Sequence, residues 1–163
     1  HSTKSELKDA MIVTKLDKKT REYLRAVGPK YVLWMRATGD GALISNAKVG
    51  LAFEYGKDKD PSILKKIVGD IRRLLVYLEM IPTKKGGHRR VRDPVFFHVH
   101  TQVPKPKNAR LEKNIRNYKL VPRGHTYARV IKTPLRAARD FYPILFGQDN
   151  YESIFGFAAR KID

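Results

Sequence analysis

The stretch PVFFHVHTQV, residues 94–103, sets His98 and His100 two positions apart in an apolar run. On a strand such a pair projects from one face with Phe96 and Gln102, while Val95, Phe97, Val99 and Val103 project from the other. Imidazoles so placed could share a metal ion that polarises a phosphate, with Tyr142 or Tyr151 as the attacking hydroxyl. They could equally face a ligand without any bond chemistry, gaining positive charge below neutral pH. No third ligand stands out, since Glu54, Gln102 and Gln148 are candidates by type only, and a metal site needs a full ligand set with its support. Other motifs are poorer still. GDGALISNAKVG lacks the Gly-Lys-Ser/Thr ending of a phosphate loop, and KKGGHRR leads into a strand where a phosphate cradle needs a helix. Without a single cysteine, thiolate catalysis and cysteine zinc sites are excluded. The expectation is a protein that is not an enzyme and that carries neither metal nor cofactor.

The elements that must position these side chains are read from periodicity. Four segments in the first third carry strand chemistry: MIVTKL, TREYLRAV, KYVLWMRAT and KVGLAFEYG. In TREYLRAV a period of two places Arg21, Tyr23 and Arg25 on one face, and in KVGLAFEYG it separates Val49, Leu51, Phe53 and Tyr55 from Lys48, Gly50, Ala52 and Glu54. These four read as a half-buried antiparallel meander. From Pro61 to Met80 the period lengthens: Leu64, Ile67, Val68, Ile71, Leu74, Leu75 and Leu78 recur at three and four, the mark of an amphipathic helix, with Asp60 as its cap and Pro61 in the first turn. Strand patterns resume with HRRVR, PVFFHVHTQV, NIRNYKLV and HTYARVI. A second helix is expected at 133–147, entered through Thr133-Pro134 and ended or kinked by Pro143. The chain thus reads as one domain built of two half-repeats, about 11–80 and 84–147, each of about four strands followed by a helix. Trp34, alone on an apolar strand, reads as core ahead of a base-stacking platform.

Charge points to the partner. Lys plus Arg total 34 against 16 Asp plus Glu, a net +18 on 163 residues, so the chain seeks polyanions. From Lys84 to Lys132 there are 14 cations against two acids, Asp93 and Glu112. Phosphates fit such a stretch, because neutralising them releases condensed counterions. Charge and strand phase nominate Arg21, Arg25, Arg89, Arg90, Arg92, Lys105, Lys107, Arg116 and Lys119 as phosphate contacts, with Tyr23 and Tyr118 as stacking partners for bases. No apolar run reaches the roughly 18 residues of a membrane span, and HSTKSELKDA has the pattern of neither a signal peptide nor a presequence. A membrane partner is not expected.

Two resemblances enter at the C-terminal half. PVFFHVHTQV followed by VIKTPLRAARDFYPILFGQD resembles the end of the Whirly fold family of single-stranded nucleic-acid-binding proteins, with Pro143, Ile144, Leu145, Phe146, Gly147 and Asp149 matching its closing pattern. That resemblance implies an α+β, Whirly-like fold. The basic, cysteine-free character resembles that family's kinetoplastid mitochondrial members. This implies a single-stranded RNA-binding protein of the mitochondrial matrix, in a heterotetramer of related subunits or a homo-oligomer. Such a protein holds guide RNA by its phosphates and promotes annealing to pre-edited messenger RNA in RNA editing. The histidine–hydrophobic–histidine strand is also similar to that of the HUH nucleases, which would make the chain a metal-dependent single-strand nickase. A structural subunit of a ribosome or nucleoprotein particle remains a third reading.

Overall fold

The computed structural model describes residues 9–36, 43–56, 62–82 and 93–162. It is a mixed α+β structure. The elements run β1 (Ala10–Val13), α1 (Lys18–Val27), β2 (Tyr31–Met35), a 3₁₀ turn (Leu43–Ser45), β3 (Ala52–Glu54), α2 (Ser62–Tyr77), β4 (Val95–Pro104), β5 (Ala109–Leu111), β6 (Thr126–Val130), β7 (Thr133–Arg136), β8 (Tyr142–Ile144) and β9 (Ile154–Ile162). Six strands form one sheet in the order β3-β1-β2-β4-β9-β8, and β5-β6-β7 form a second. Strands β1, β2 and β4 run parallel, while β3, β9 and β8 pair antiparallel. Parallel neighbours need crossovers, and α1 and α2 lie within those that join them. The expected antiparallel meander is corrected accordingly.

The segment TREYLRAV, read as a strand, is most of helix α1. Asp17 caps it, its carboxylate accepting from the Thr20 amide at 2.8 Å, and Gly28 closes it in the left-handed region at φ 71° with its N–H on Leu24 O. Thr20, Leu24 and Val27 are the buried positions, spaced four and three apart. Eight residues satisfy both a period of two and a period of 3.6, and capping at both ends decides between them.

Helix α2 forms where periodicity places it, but it packs in an unexpected way. The one fully buried residue of the helix is Asp70, whose carboxylate takes Lys66 Nζ at 2.9 Å and the Arg73 guanidinium. Arg73 Nε also donates to Val27 O at 2.7 Å, tying α2 to the last turn of α1, and Lys66 reaches Asp9 at 2.9 Å. The apolar stripe Leu64, Val68, Ile71 and Leu78 faces outward, with Leu64 69% exposed, and is not covered by the described residues. Asp70→Ala should cost about 2–3 kcal/mol in urea unfolding, because two cations lose a shared buried partner; they are partly exposed, which holds the loss below that of a fully buried pair.

The expected second helix is absent. Residues 133–147 instead supply β7 and β8, with Pro134 on an edge strand and Pro143 on the sheet's outer strand, positions where a missing N–H is tolerated. The stretch NIRNYKLV, read as a strand, runs as turns and ends in an isolated bridge, Val121 to Phe141. The repeat of strands and helix therefore does not recur in the second half, which has no helix among the described residues. The Asp60-Pro61 cap lies outside the described residues.

Three apolar clusters hold the molecule. Met11, Val13, Leu24, Val27 and Val32 join one sheet face to the helices. Ala10, Leu33, Phe97, Val99, Ile144 and Leu145 form a cluster on the other face, and Ala109, Val121, Ala128, Phe141 and Phe155 bind in the small sheet.

Candidate active site

Glu54 ends β3, and its register brings it beside Ala10, which in turn pairs with Tyr31. Residues directly opposite on neighbouring strands share a face. Ala10 and Tyr31 belong to the cluster on the side away from the helices, so Glu54 is on that side too. It is 6% exposed, and burial raises its carboxyl above the ordinary value of 4.5. Sequence periodicity groups Glu54 with Lys48, Gly50 and Ala52, opposite Val49, Leu51, Phe53 and Tyr55, and weighs it only as a ligand by type. The available signal was a lone acid on the apolar run GLAFEYG.

Two tyrosines, Tyr118 and Tyr151, lie within electrostatic reach of this carboxyl. Tyr118 stacks on Tyr31 with centroids 3.8 Å apart, and Phe97 tilts against both and against Tyr142. Tyr118 has φ 65°, a left-handed conformation that a bulky residue adopts only when its surroundings enforce it. Its N–H on Pro143 O at 3.0 Å is one such tether. Burial raises the Tyr118 phenol most, with the charges of Tyr31 and Glu54 adding to it; Tyr151 is raised by burial and then by Glu54. Both hydroxyls therefore keep their protons at neutral pH and stand as donors within the field of one carboxyl.

The loop that carries Tyr151 is built by side-chain clamps. Asn117 holds Phe146 through both backbone groups, Oδ1 accepting from its N–H at 2.8 Å and Nδ2 donating to its carbonyl at 3.2 Å. Gln148 accepts from Leu111 N–H at 2.7 Å and donates to Ala109 O at 3.0 Å. Lys105 donates to the carbonyls of Gln148, at 3.0 Å, and Tyr151. Gly156 lets β9 pass beneath: its φ is 151°, and a Cβ there would meet the carbonyl oxygens of Ile144 and Leu145 at 2.8 Å. Gly156→Ala should destabilise by about 1–3 kcal/mol, read as a lower urea midpoint, since neither backbone oxygen can rotate away.

The residues nominated for phosphate binding do not gather on one sheet face. Arg21, Tyr23 and Arg25 lie on α1, where Arg21 covers the Phe96 ring at 5.0 Å and Tyr23 packs edge-on against Tyr77 at 5.4 Å. Lys105 is spent on carbonyls, as is Arg116, which donates to Lys113 O and to Ile115 O. Lys107 and Lys119 are exposed, Tyr118 stacks within the protein, and Arg89, Arg90 and Arg92 fall outside the described residues. Trp34 stacks on His98 at 4.3 Å and donates to Thr14 O at 3.3 Å. His98 and His100 acquire no third ligand: among the described residues no three His, Asp or Glu side chains stand close enough to hold a metal ion. Gln148 is engaged in its clamp, and Glu54 lies in a different row of the sheet from His98. No helix among the described residues is long and apolar enough to cross a membrane.

No protein-family model and no curated protein matches the chain. Solved structures do match. Succinylglutamate desuccinylase from Vibrio cholerae superposes with a TM-score of 0.71 at 13% identity, over 99% of this chain and 52% of that one. A succinylglutamate desuccinylase/aspartoacylase from Rhodobacter sphaeroides gives 0.68 at 14% identity, over 98% and 57%. The ectoine utilization protein EutE from Ruegeria pomeroyi gives 0.64 at 13%, over 100% and 58%. The chain thus shares the fold of these proteins and spans about half their length. The Whirly-like expectation is overturned by this likeness. With it falls the reading of a non-enzymatic holder of guide RNA, its annealing role in RNA editing and its partners, single-stranded RNA and a related subunit, because the proteins that share the fold are named as desuccinylases and aspartoacylases. The error is physical: a net positive charge reports attraction for anions of any size, and a short Pro-apolar-Gly ending occurs in β-strands as readily as after a helix.

Proposed function

We propose that this chain forms part of an amidohydrolase that cleaves the acyl–nitrogen bond of an N-acylated amino acid, with Glu54 as the group that moves the proton. The observation that carries the reading is the buried carboxyl of Glu54 with its raised proton affinity, in a fold shared with desuccinylases and aspartoacylases. A carboxyl lifted toward neutrality is matched to accept a proton from water and to return it.

In this reading water oxygen attacks the acyl carbon while its proton passes to Glu54. The carbonyl becomes a tetrahedral oxyanion, and Tyr151, protonated because burial and the charge of Glu54 disfavour its ionisation, donates to that oxygen. The carbon–nitrogen bond then breaks, Glu54 returns the proton to the departing nitrogen, and a carboxylate and a free amine leave. The net +18 draws an anionic substrate toward the site.

The test is release of primary amine from N-succinylglutamate and from an N-acylated aspartate. Turnover is expected in the wild-type protein, with Tyr151→Phe lowering kcat about 10²–10³-fold at a smaller change in KM, as for loss of one oxyanion donor. No amine from either compound, or an unaltered kcat in Tyr151→Phe, contradicts the assignment.

A further inference from the structure

The histidine pair of β4 is not used by the Glu54 site. His98 lies in the row Val13–Trp34–His98–Arg160, three residues along the strands from the row of Ala10, Tyr31 and Val95, a separation of ~10 Å. There β4 carries a bulge: Val99 pairs with Ala159 and Thr101 with Ala158, leaving His100 as the extra residue. A bulge re-aims the side chain it carries. Together with Arg36, Thr101, Gln102 and Phe157, the two histidines line a cleft of about 400 Å³.

Charge in this cleft has one sign. Arg36 lines it, Arg160 pairs across the strand from His98, and Arg139, just before β8, is near enough to act on His100. Among the described residues the cleft lining holds no carboxylate. Burial, Arg160 and Arg36 lower the proton affinity of His98, and burial, Arg139, His98 and Arg160 lower that of His100. Both rings are thereby held neutral beside the guanidinium groups. The Nδ1 of His98 is buried and reaches no hydrogen-bond partner among the described residues, a costly arrangement unless something else meets it.

We propose that this cleft is a second binding site, separate from the Glu54 site, for a small oxyanion, the carboxylate or phosphate group of a metabolite, held by Arg36 and Arg160 with the imidazoles of His98 and His100 as further donors. Guanidinium forks match both oxyanions, and a bound anion supplies the negative charge the cleft lacks. It also favours protonation of the rings, which turns every ring nitrogen into a donor.

The experiment follows the histidine ring signals by NMR in the full chain at low salt, titrating inorganic phosphate in one arm and succinate in the other. Saturable shifts of His98 and His100 at millimolar anion are expected, and the stronger arm identifies the ligand's oxyanion. Arg36→Gln with Arg160→Gln should weaken binding by about tenfold or more, while Arg25→Gln on α1 changes nothing. Arg160→Lys, which keeps the charge and loses the fork, should fall between. If neither anion moves the ring signals of the wild-type protein, or if Arg25→Gln weakens binding as much as the double variant, the site does not exist.

Discussion

Glu54→Gln is expected to remove turnover and to strengthen the fold at the same time. As the proton carrier its loss should lower kcat by about 10²–10⁴-fold. The stability change has a worked sign. Burial raises the folded-state pKa of Glu54 above its ordinary 4.5, so the folded protein holds this proton more tightly than the unfolded chain does. The stability due to that proton is fully present below pH 4.5 and is lost as pH rises through the folded pKa. Glutamine, which never ionises, escapes that loss. The variant should therefore match the wild type in urea unfolding at pH 4 and surpass it at neutral pH. Amine release and denaturation on the same preparations check both halves. A variant that is inactive and also less stable at neutral pH would make Glu54 a structural acid.

Phe97→Ala should have the largest effect on stability. Phe97 is 2% exposed at the centre of the sheet and touches Tyr31, Tyr118 and Tyr142. Truncation loses the burial of a ring and leaves a cavity that strands on both sides cannot close, a cost of about 3–5 kcal/mol. That is a large share of the roughly 5–15 kcal/mol that holds a typical domain, so the variant should unfold near physiological temperature. Phe97→Leu keeps most of the volume and should cost less than about 1.5 kcal/mol. Near-ultraviolet circular dichroism would follow the tyrosine stack. If Phe97→Ala melts within a degree or two of the wild type, the cluster that frames Glu54 is not a packed core.

Several elements were legible in the residues. MIVTKL, KYVLWMRAT, PVFFHVHTQV and HTYARVI overlap β1, β2, β4 and β6, and the three-and-four spacing after Pro61 contains α2. The mixture of helix and strand was therefore readable. TREYLRAV was not, because its residues satisfy two periods and the deciding contacts are the Asp17 and Gly28 caps together with burial against Val32 and Trp34. Residues 133–147 were misread because Pro134 and Pro143 suit a helix start and stop as well as they suit outer strands.

Of the site, Glu54, Tyr118 and Tyr151 are singled out by type but each for another purpose, whereas His98 and His100 are read as facing a ligand. Strand and helix content follow from preferences that act over a few neighbouring residues, and the chain by itself determined those, along with a charge that selects anions. Tyr118 and Tyr151, which lie 64 and 97 positions further along, come within electrostatic reach of Glu54 only in the folded chain. Which face of α2 is buried is settled in the same way. Burial and local field are properties of the assembled structure, because desolvation and Coulomb effects act through space between residues that no local pattern connects.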